Sequence, residues 1–421
     1  MKKGDKLFYG WIIVLGGVLI GAATNLLNSI ANVVIGLVSE DFSVPRTMFN
    51  LATVISMPVV MVLSPVAGRY FRTNPKKKIM IAGSVVFGLA LFACSLAPNI
   101  YWFYVLIPLA GATTAFVNNV PVSTIINNWF VEKKGLAIGI AGAGVPLASM
   151  VTTPIISWLV DTVGWRQAYA YVGICAMIFL LLVCVFIIQF RPEDKGLLPL
   201  GYKAGGDAEA TVKKTVVRRG VMIGDAKKFP MFYLFLLSML LIGIAASGTS
   251  SNQYVYLTDS GYSAAYASLV VSISSGVGIL GRIFLGHLFD KKGVKFTTVY
   301  AMGVLAVAEI SLLLIKLPIS PLVLAVSYGL GGAVNQIPRS ILPEKYFGDV
   351  DYGSFLGMAT SLQMCGIAAG PMAASAFFDI TGSYVPAWYL FLVLIVLTGI
   401  IWLYCDQAKK KIWERYEKTE G

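Results

Sequence analysis

The sequence predicts an all-α membrane protein whose twelve transmembrane helices form two pseudo-symmetric six-helix bundles. Composition is the first observation behind this. Of the 421 residues 57% are hydrophobic and 13% charged, and the mean hydropathy is +0.76, far more apolar surface than a soluble chain carries. Second, twelve apolar runs recur along the chain, each near the ~20 residues that cross a bilayer as a helix. Third, the chain is written twice, with one half repeated about 217–218 residues later.

The runs fall near residues 9–38, 45–69, 77–97, 100–128, 135–160, 166–190, 229–257, 263–288, 295–316, 320–342, 353–378 and 384–404. Met1, Lys2 and Lys3 ahead of the first run have the look of a secretory signal. That run continues to Val38, well past the ~7–15 residues of a cleavable apolar region, so it is read as a retained span 1. Between spans 6 and 7 the composition turns to Arg, Glu, Asp, Lys and Gly. The chain therefore divides into an N-terminal bundle over 1–190, a cytoplasmic connector over 191–228, a C-terminal bundle over 229–404 and a basic cytoplasmic tail over 405–421.

Basic residues set the expected orientation. With the N-terminus cytoplasmic, the inner loops collect Lys76, Lys77, Lys78, Lys133, Lys134, Lys291, Lys292, Lys295 and the tail cluster Lys409, Lys410 and Lys411. The outer loops keep Arg46, Arg166 and Lys316. A multi-pass protein of a cell (inner) membrane with both termini cytoplasmic follows. The net charge of +12 then reports topology and an anionic leaflet, and no folded soluble module is left to bind nucleic acid. Cys94, Cys175, Cys184, Cys365 and Cys405 sit singly in apolar segments without C-x-x-C spacing and read as packing residues. One histidine, no metal-ligand cluster and no phosphate-binding loop argue against an enzyme or an ATP-driven pump, and no cofactor is expected.

The repeat is specific at three places. Gly68-Arg-Tyr-Phe-Arg72 after span 2 falls on Gly286-His-Leu-Phe-Asp290 after span 8. Asn118-Asn119-Val120-Pro121 in span 4 falls on Asn335-Gln336-Ile337-Pro338 in span 10, and Trp129-Phe130 falls on Tyr346-Phe347. Duplicated halves of this kind imply a substrate site at the midplane between them, opened to each side in turn as one half rocks against the other.

These segments carry a family resemblance. Gly286-His-Leu-Phe-Asp290-Lys-Lys-Gly293-Val-Lys295 resembles the cytoplasmic loop motif of the major facilitator superfamily, and the stretch after span 2 is similar to a degraded copy. Asn128-Trp129-Phe130-Val-Glu-Lys-Lys134-Gly135-Leu136-Ala137-Ile-Gly139 resembles the span 4–5 signature of the monocarboxylate transporters and oxalate/formate antiporters. Tyr9-Gly10-Trp11 is similar to that group too. The superfamily resemblance covers essentially the whole chain and implies the major facilitator fold; the subgroup resemblance rests on these short segments. Physically, the loop motif reads as a gating latch built from Asp290, Gly286, Gly68 and Arg72. Asp290 at the inner end of span 8 can meet basic residues and exposed helix amides. Where the family's first copy carries an acid this chain has Arg72, and topology marking is the alternative for all these charges.

Arg282 is the leading candidate for substrate contact. A guanidinium stays charged, and at mid-bilayer it costs at least about 2.5–3.5 kcal/mol, so protein or water must receive it. It stands eight residues before Asp290, hence about 12 Å from the inner boundary of a ~30 Å core. Ser275, Gly278 and Gly286 share its helical face and leave room beside it. A planar guanidinium can hold a carboxylate with two parallel N–H bonds. The resemblance agrees, since the monocarboxylate and oxalate transporters have a substrate-binding arginine at this place; bracing of the bundle is the other reading.

Around it, Asn119 and Gln336 place an amide near the midplane in each half, with Asn118 and Asn335 beside them, and Pro121 and Pro338 free backbone carbonyls there. Interhelical polar contacts are the alternative. Asn28, with Asn25 and Asn32, lies on one face of span 1, and Ser250, Gln253, Tyr254 and Tyr256 lie in span 7; lining a cavity and packing hydrogen bonds stand as equal readings. Arg339 is either a second anion contact or a side chain that snorkels to the cytoplasm to pair with Glu344 or Asp349. Glu309 in span 9 is read as a buried ion-pair partner or a lipid-boundary residue that protonates rather than a coupling site, and His287 as interfacial polarity.

Departures from the resembled group bear on mechanism. The proton-coupled monocarboxylate transporters carry a lysine where this chain has Ser29 and an acid where it has Gly278. The oxalate antiporter's lysine in span 11 falls on Ala359. Proton coupling by the resembled group's residues is therefore unsupported, and a single strong cation points to a monoanion. The expected function is secondary transport of a small organic monocarboxylate by alternating access, with a proton and a counter-anion both left open as coupling partner. The chain is expected to be a monomer in the bilayer. A dicarboxylate/monocarboxylate antiporter using Arg282 and Arg339 is the competing transporter, and a non-transporting membrane sensor the competing class.

Overall fold

With no water to bond a lipid-facing backbone, each apolar run must satisfy its N–H and C=O groups within itself, and helix is the local solution. The computed structural model describes residues 8–73, 77–201 and 220–420. Lys76 and the middle of the connector lie outside the described residues, as do the side chains of Arg46, Arg72, Lys410 and Lys411. The chain forms two compact units, Met1–Val216 and Val217–Gly421.

The first unit holds α1 (Tyr9–Asp41), α2 (Arg46–Thr73), α3 (Lys78–Cys94), α4 (Ile100–Trp129), α5 (134–163) and α6 (165–187). The second holds α7 (Pro230–Asp259), α8 (264–292), α9 (294–313), α10 (320–347), α11 (Tyr352–Thr381) and α12 (Val385–Glu420). Among the described residues eight stretches are long and apolar enough to cross a membrane. Two of them, Lys134–Ile187 and Ala265–Leu313, contain two spans each, and α3 and the interrupted α10 complete the twelve. The α5/α6 and α8/α9 corners turn on Gly164 and Gly293, whose φ values of 81° and 73° no L side chain adopts without strain.

Each unit repeats one packing plan. α1 lies along α5 and α7 along α11; α3 lies on α6 and α9 on α12; α2 pairs with α4 and α8 with α10. Glycines let the backbones touch, as lipid-embedded helices require when packing rather than water exclusion drives association. A Cβ on Gly144 would strike the Val18 carbonyl of α1, and one on Gly366 the Leu240 carbonyl of α7. Large apolar side chains such as Met150 and Ile380 remain 73% and 82% exposed.

The duplication extends to details. Trp129 donates its ring N–H to the Gln189 carbonyl at 2.8 Å, and Tyr346, its partner in the repeat, donates its hydroxyl to the Trp402 carbonyl at 2.9 Å. Each ties the end of α4 or α10 to the last span of its own unit, Gln189 standing just past the end of α6 and Trp402 within α12. Connector ends are pinned at the same places: the Leu200 N–H bonds the Trp129 carbonyl at 2.9 Å and the Val221 N–H the Phe347 carbonyl at 2.8 Å. The sequence reading places a tail beyond residue 404, whereas α12 runs on to Glu420; the segment is rich in good helix formers, and Lys409 meets Asp406 at 2.6 Å one turn away.

Candidate functional site

The interruptions in α4 and α10 come from proline. Lacking an N–H, Pro121 and Pro338 each leave a carbonyl one turn back without its helical partner. The chain answers with different turns: Ala115–Asn119 winds wider, as a π turn, and Gly332–Asn335 tighter, as a 3₁₀ turn. Asn118, Asn119, Asn335 and Gln336 all fall at these breaks.

In the second unit the break meets Arg282. α8 and α10 approach at glycine, where a Cβ on Gly281 would lie 2.7 Å from the Gly329 carbonyl oxygen and one on Gly329 2.8 Å from that of Ser274. This proximity lets Arg282 donate Nε–H to Gln336 Oε1 at 3.3 Å, while Nη1 donates to the Gly278 carbonyl at 2.9 Å. Tyr328 of α10 lies within electrostatic reach. Of five N–H groups, two are thus occupied and three have no protein acceptor among the described residues. Nor does any described acid pair with this half-buried guanidinium. Ser275 and Gly276, two turns toward the start of α8, are exposed. The arrangement is an oriented cation with an open edge, able to take an oxyanion.

The Major Facilitator Superfamily model matches residues 13–337. The chain belongs to this superfamily. It is therefore a multi-pass membrane transporter and not an enzyme. Among curated relatives, monocarboxylate transporter 2 of Rattus norvegicus is 21% identical over 98% of this chain and 86% of its own. The oxalate:formate antiporter of Oxalobacter formigenes is 26% identical over 72% of this chain and 68% of its own. Of solved structures, the E. coli fucose:proton symporter superposes with a TM-score of 0.69 at 13% identity, covering 94% of this chain and 98% of that one. A proton:xylose symporter gives 0.68 at 12%, covering 96% and 98%. The likeness to these two is one of fold.

Other candidate residues of this Major Facilitator Superfamily transporter distribute as follows. In the first unit Asn118 donates to Thr24 of α1 at 2.9 Å and Asn119 turns back to Thr114 at 3.4 Å. Asn25 is buried and bonds Ser29 and Ser149 at 3.2 and 2.6 Å, a packing network of α1 and α5, whereas Asn28 and Asn32 are exposed. At the place that Arg282 occupies in the second copy the first has Ser64, bonded to Val60 at 2.7 Å. The charge is thus confined to one unit. In the second unit Tyr254 is exposed and Tyr256 buried against the Leu312 carbonyl, while Asn335 lies half-buried in the 3₁₀ turn.

Two placements differ from the sequence reading, and one residue, Tyr328, escapes it. Arg339 does not snorkel: it is 8% exposed and donates to Gln363 of α11 at 3.3 Å, because the tight turn before Pro338 rotates α10 and aims the side chain into the unit. Glu309 neither pairs with a described cation nor faces lipid; it is fully buried against Thr249 of α7. Tyr328 was not singled out, although a tyrosine two turns ahead of Gln336 on the same helix carried the signal. Of the latch residues, Gly68 and Gly286 are buried at the ends of α2 and α8, Asp290 is half-buried just ahead of the Gly293 corner, and the Arg72 side chain lies outside the described residues.

Proposed function

We propose that this transporter carries a small organic monocarboxylate by alternating access, with Arg282 receiving the carboxylate, and that both termini are cytoplasmic. The observation that carries the reading is the half-buried Arg282 guanidinium, held by Gln336 and the Gly278 carbonyl, with three N–H groups unclaimed by the described residues and no described acid beside it. A cation so placed has lost water without gaining a counter-charge, and an incoming carboxylate supplies one. Relatives named as monocarboxylate transporters support the substrate class. The kinship with an oxalate:formate antiporter supports anion exchange as the second mode. A direct part for Arg339 in that mode fits less well, given its burial against Gln363.

Counterflow of labelled short-chain monocarboxylates in proteoliposomes tests the proposal. Saturable counterflow is expected for at least one of them. Binding without counterflow would point to a sensor, and no response to any carboxylate would remove the assignment.

Gln336 makes a sharper prediction. Gln336→Leu deletes the acceptor that aims Nε and leaves the charge in place, so anion affinity should fall about tenfold, the worth of one hydrogen bond to a charged group at ~1.5 kcal/mol. A binding titration reads this directly, and an unchanged affinity would show that Gly278 alone orients the guanidinium.

A further inference from the structure

A second ionisable group lies deep in the same unit. Glu309 of α9 is fully buried, four residues before the helix ends at Leu313. Its Oε1 is 2.5 Å from Thr249 Oγ1, and its Oε2 is buried without a partner. Thr249 Oγ1 also lies 2.9 Å from the Ala245 carbonyl, one turn back along α7. A hydroxyl has one hydrogen, and a carbonyl can only accept. If Thr249 donates to the carboxylate, an anion stays buried on a single hydrogen bond with no described cation beside it. If Thr249 donates to Ala245, Glu309 itself carries the hydrogen and donates to Thr249 Oγ1. Only the second arrangement satisfies every contact without an unpaired buried charge.

Neighbouring groups extend this pair toward Arg282. Tyr328 of α10 donates to the Ala246 carbonyl at 2.6 Å, has the Ser250 hydroxyl beside it, and lies within the electrostatic reach of both Glu309 and Arg282. Ser250, which is exposed, follows Thr249 directly in α7, and the carbonyls that Thr249 and Tyr328 bond, Ala245 and Ala246, are likewise consecutive. The other titratable group facing α9 from α7 is Tyr256, bonded to the Leu312 carbonyl. α12 presents no acid, lysine, arginine or histidine between Val385 and Tyr404, and its tyrosines Tyr389 and Tyr404 are exposed.

We propose that Glu309 is a proton-binding residue whose occupancy is linked to the anion on Arg282. The inference rests on the carboxylate-carrier reading. With the proton bound, Glu309 is neutral and Arg282 keeps its full attraction for an anion. On release the O–H bond of the carboxyl breaks, the proton passes to water at the Ser250 surface, and Thr249 turns its hydrogen to the new carboxylate. That negative charge then offsets Arg282 across Tyr328 and favours loss of the anion. Proton and anion thereby load and leave together.

Full-length protein in proteoliposomes provides the test, with Glu309→Gln as the neutral isostere. A pH gradient, acid on the substrate side, should stimulate net carboxylate uptake by the wild type, and Glu309→Gln should lose at least tenfold of that stimulation. Counterflow, which moves no net proton, should persist in the variant. Infrared spectra should contain a protonated-carboxyl band at neutral pH that Glu309→Gln removes. A wild-type gradient response in Glu309→Gln, or an unchanged band, overturns the proposal. Absence of wild-type counterflow sinks the carrier reading and the linkage with it, and the band, which needs no substrate, tells the two failures apart.

Discussion

Arg282→Ala should lower carboxylate affinity at least about 100-fold while leaving the protein folded, because it removes two charge-assisted hydrogen bonds worth together about 3 kcal/mol. The fold should tolerate the change. Arg282 is half-buried, and the contacts it gives up, to Gln336 and to a carbonyl of its own helix, leave groups at an open break in α10. Arg282→Lys separates charge from shape. A lysine keeps the positive charge but offers a point rather than a fork, so affinity should fall by about tenfold and remain measurable. Binding titrations on the purified variants, with thermal midpoints as the control for folding, give both results. Equal losses for Ala and Lys would mean that the guanidinium plane carries all of the recognition; no loss for either would return Arg282 to a bracing role.

Gly366→Leu is expected to be the most damaging single change to the fold. α7 and α11 touch backbone to backbone: a Cβ on Gly366 would meet the Leu240 carbonyl and stand 2.9 Å from the Ile244 N, and one on Gly243 would lie 2.6 Å from the Gln363 carbonyl. These neighbours are main chain and cannot rotate away, so a leucine must drive the helices apart. That removes the close contacts which hold lipid-embedded helices together, and it also displaces Gln363, the acceptor of Arg339. A loss of roughly 3 kcal/mol or more is expected, at the upper end of overpacking effects. Gly303→Leu is the matched control, since nothing lies within 4 Å of a Cβ there. Thermal midpoint and monodisperse yield should collapse for the first and hold for the second.

Much of this architecture is legible in the chain because lipid leaves few choices. Apolar runs of spanning length had to be helices, and the offset repeat paired Trp129 with Tyr346 and Pro121 with Pro338, positions that turn out to play matching parts in the two units. Proline forecast where α4 and α10 would open but not how, since the choice between a wide and a tight turn depends on neighbours outside the local sequence. Spacing put Arg282 near Gln336 in depth, yet their contact needed α8 and α10 to meet at Gly281 and Gly329. Glu309 shows the limit most clearly. Its partner Thr249 is 60 residues away on another helix, and periodicity reports which face a residue occupies, not what faces it.

The central claim is that Arg282 reads the negative charge of the substrate, and comparing an acid with its own neutral amide tests it most directly. Purified wild-type protein should bind a transported monocarboxylate about 100-fold more tightly than the matching amide, and Arg282→Gln should bring that ratio close to one. If Arg282→Gln keeps the full preference for the acid, the charge is read elsewhere and the assignment of Arg282 is wrong.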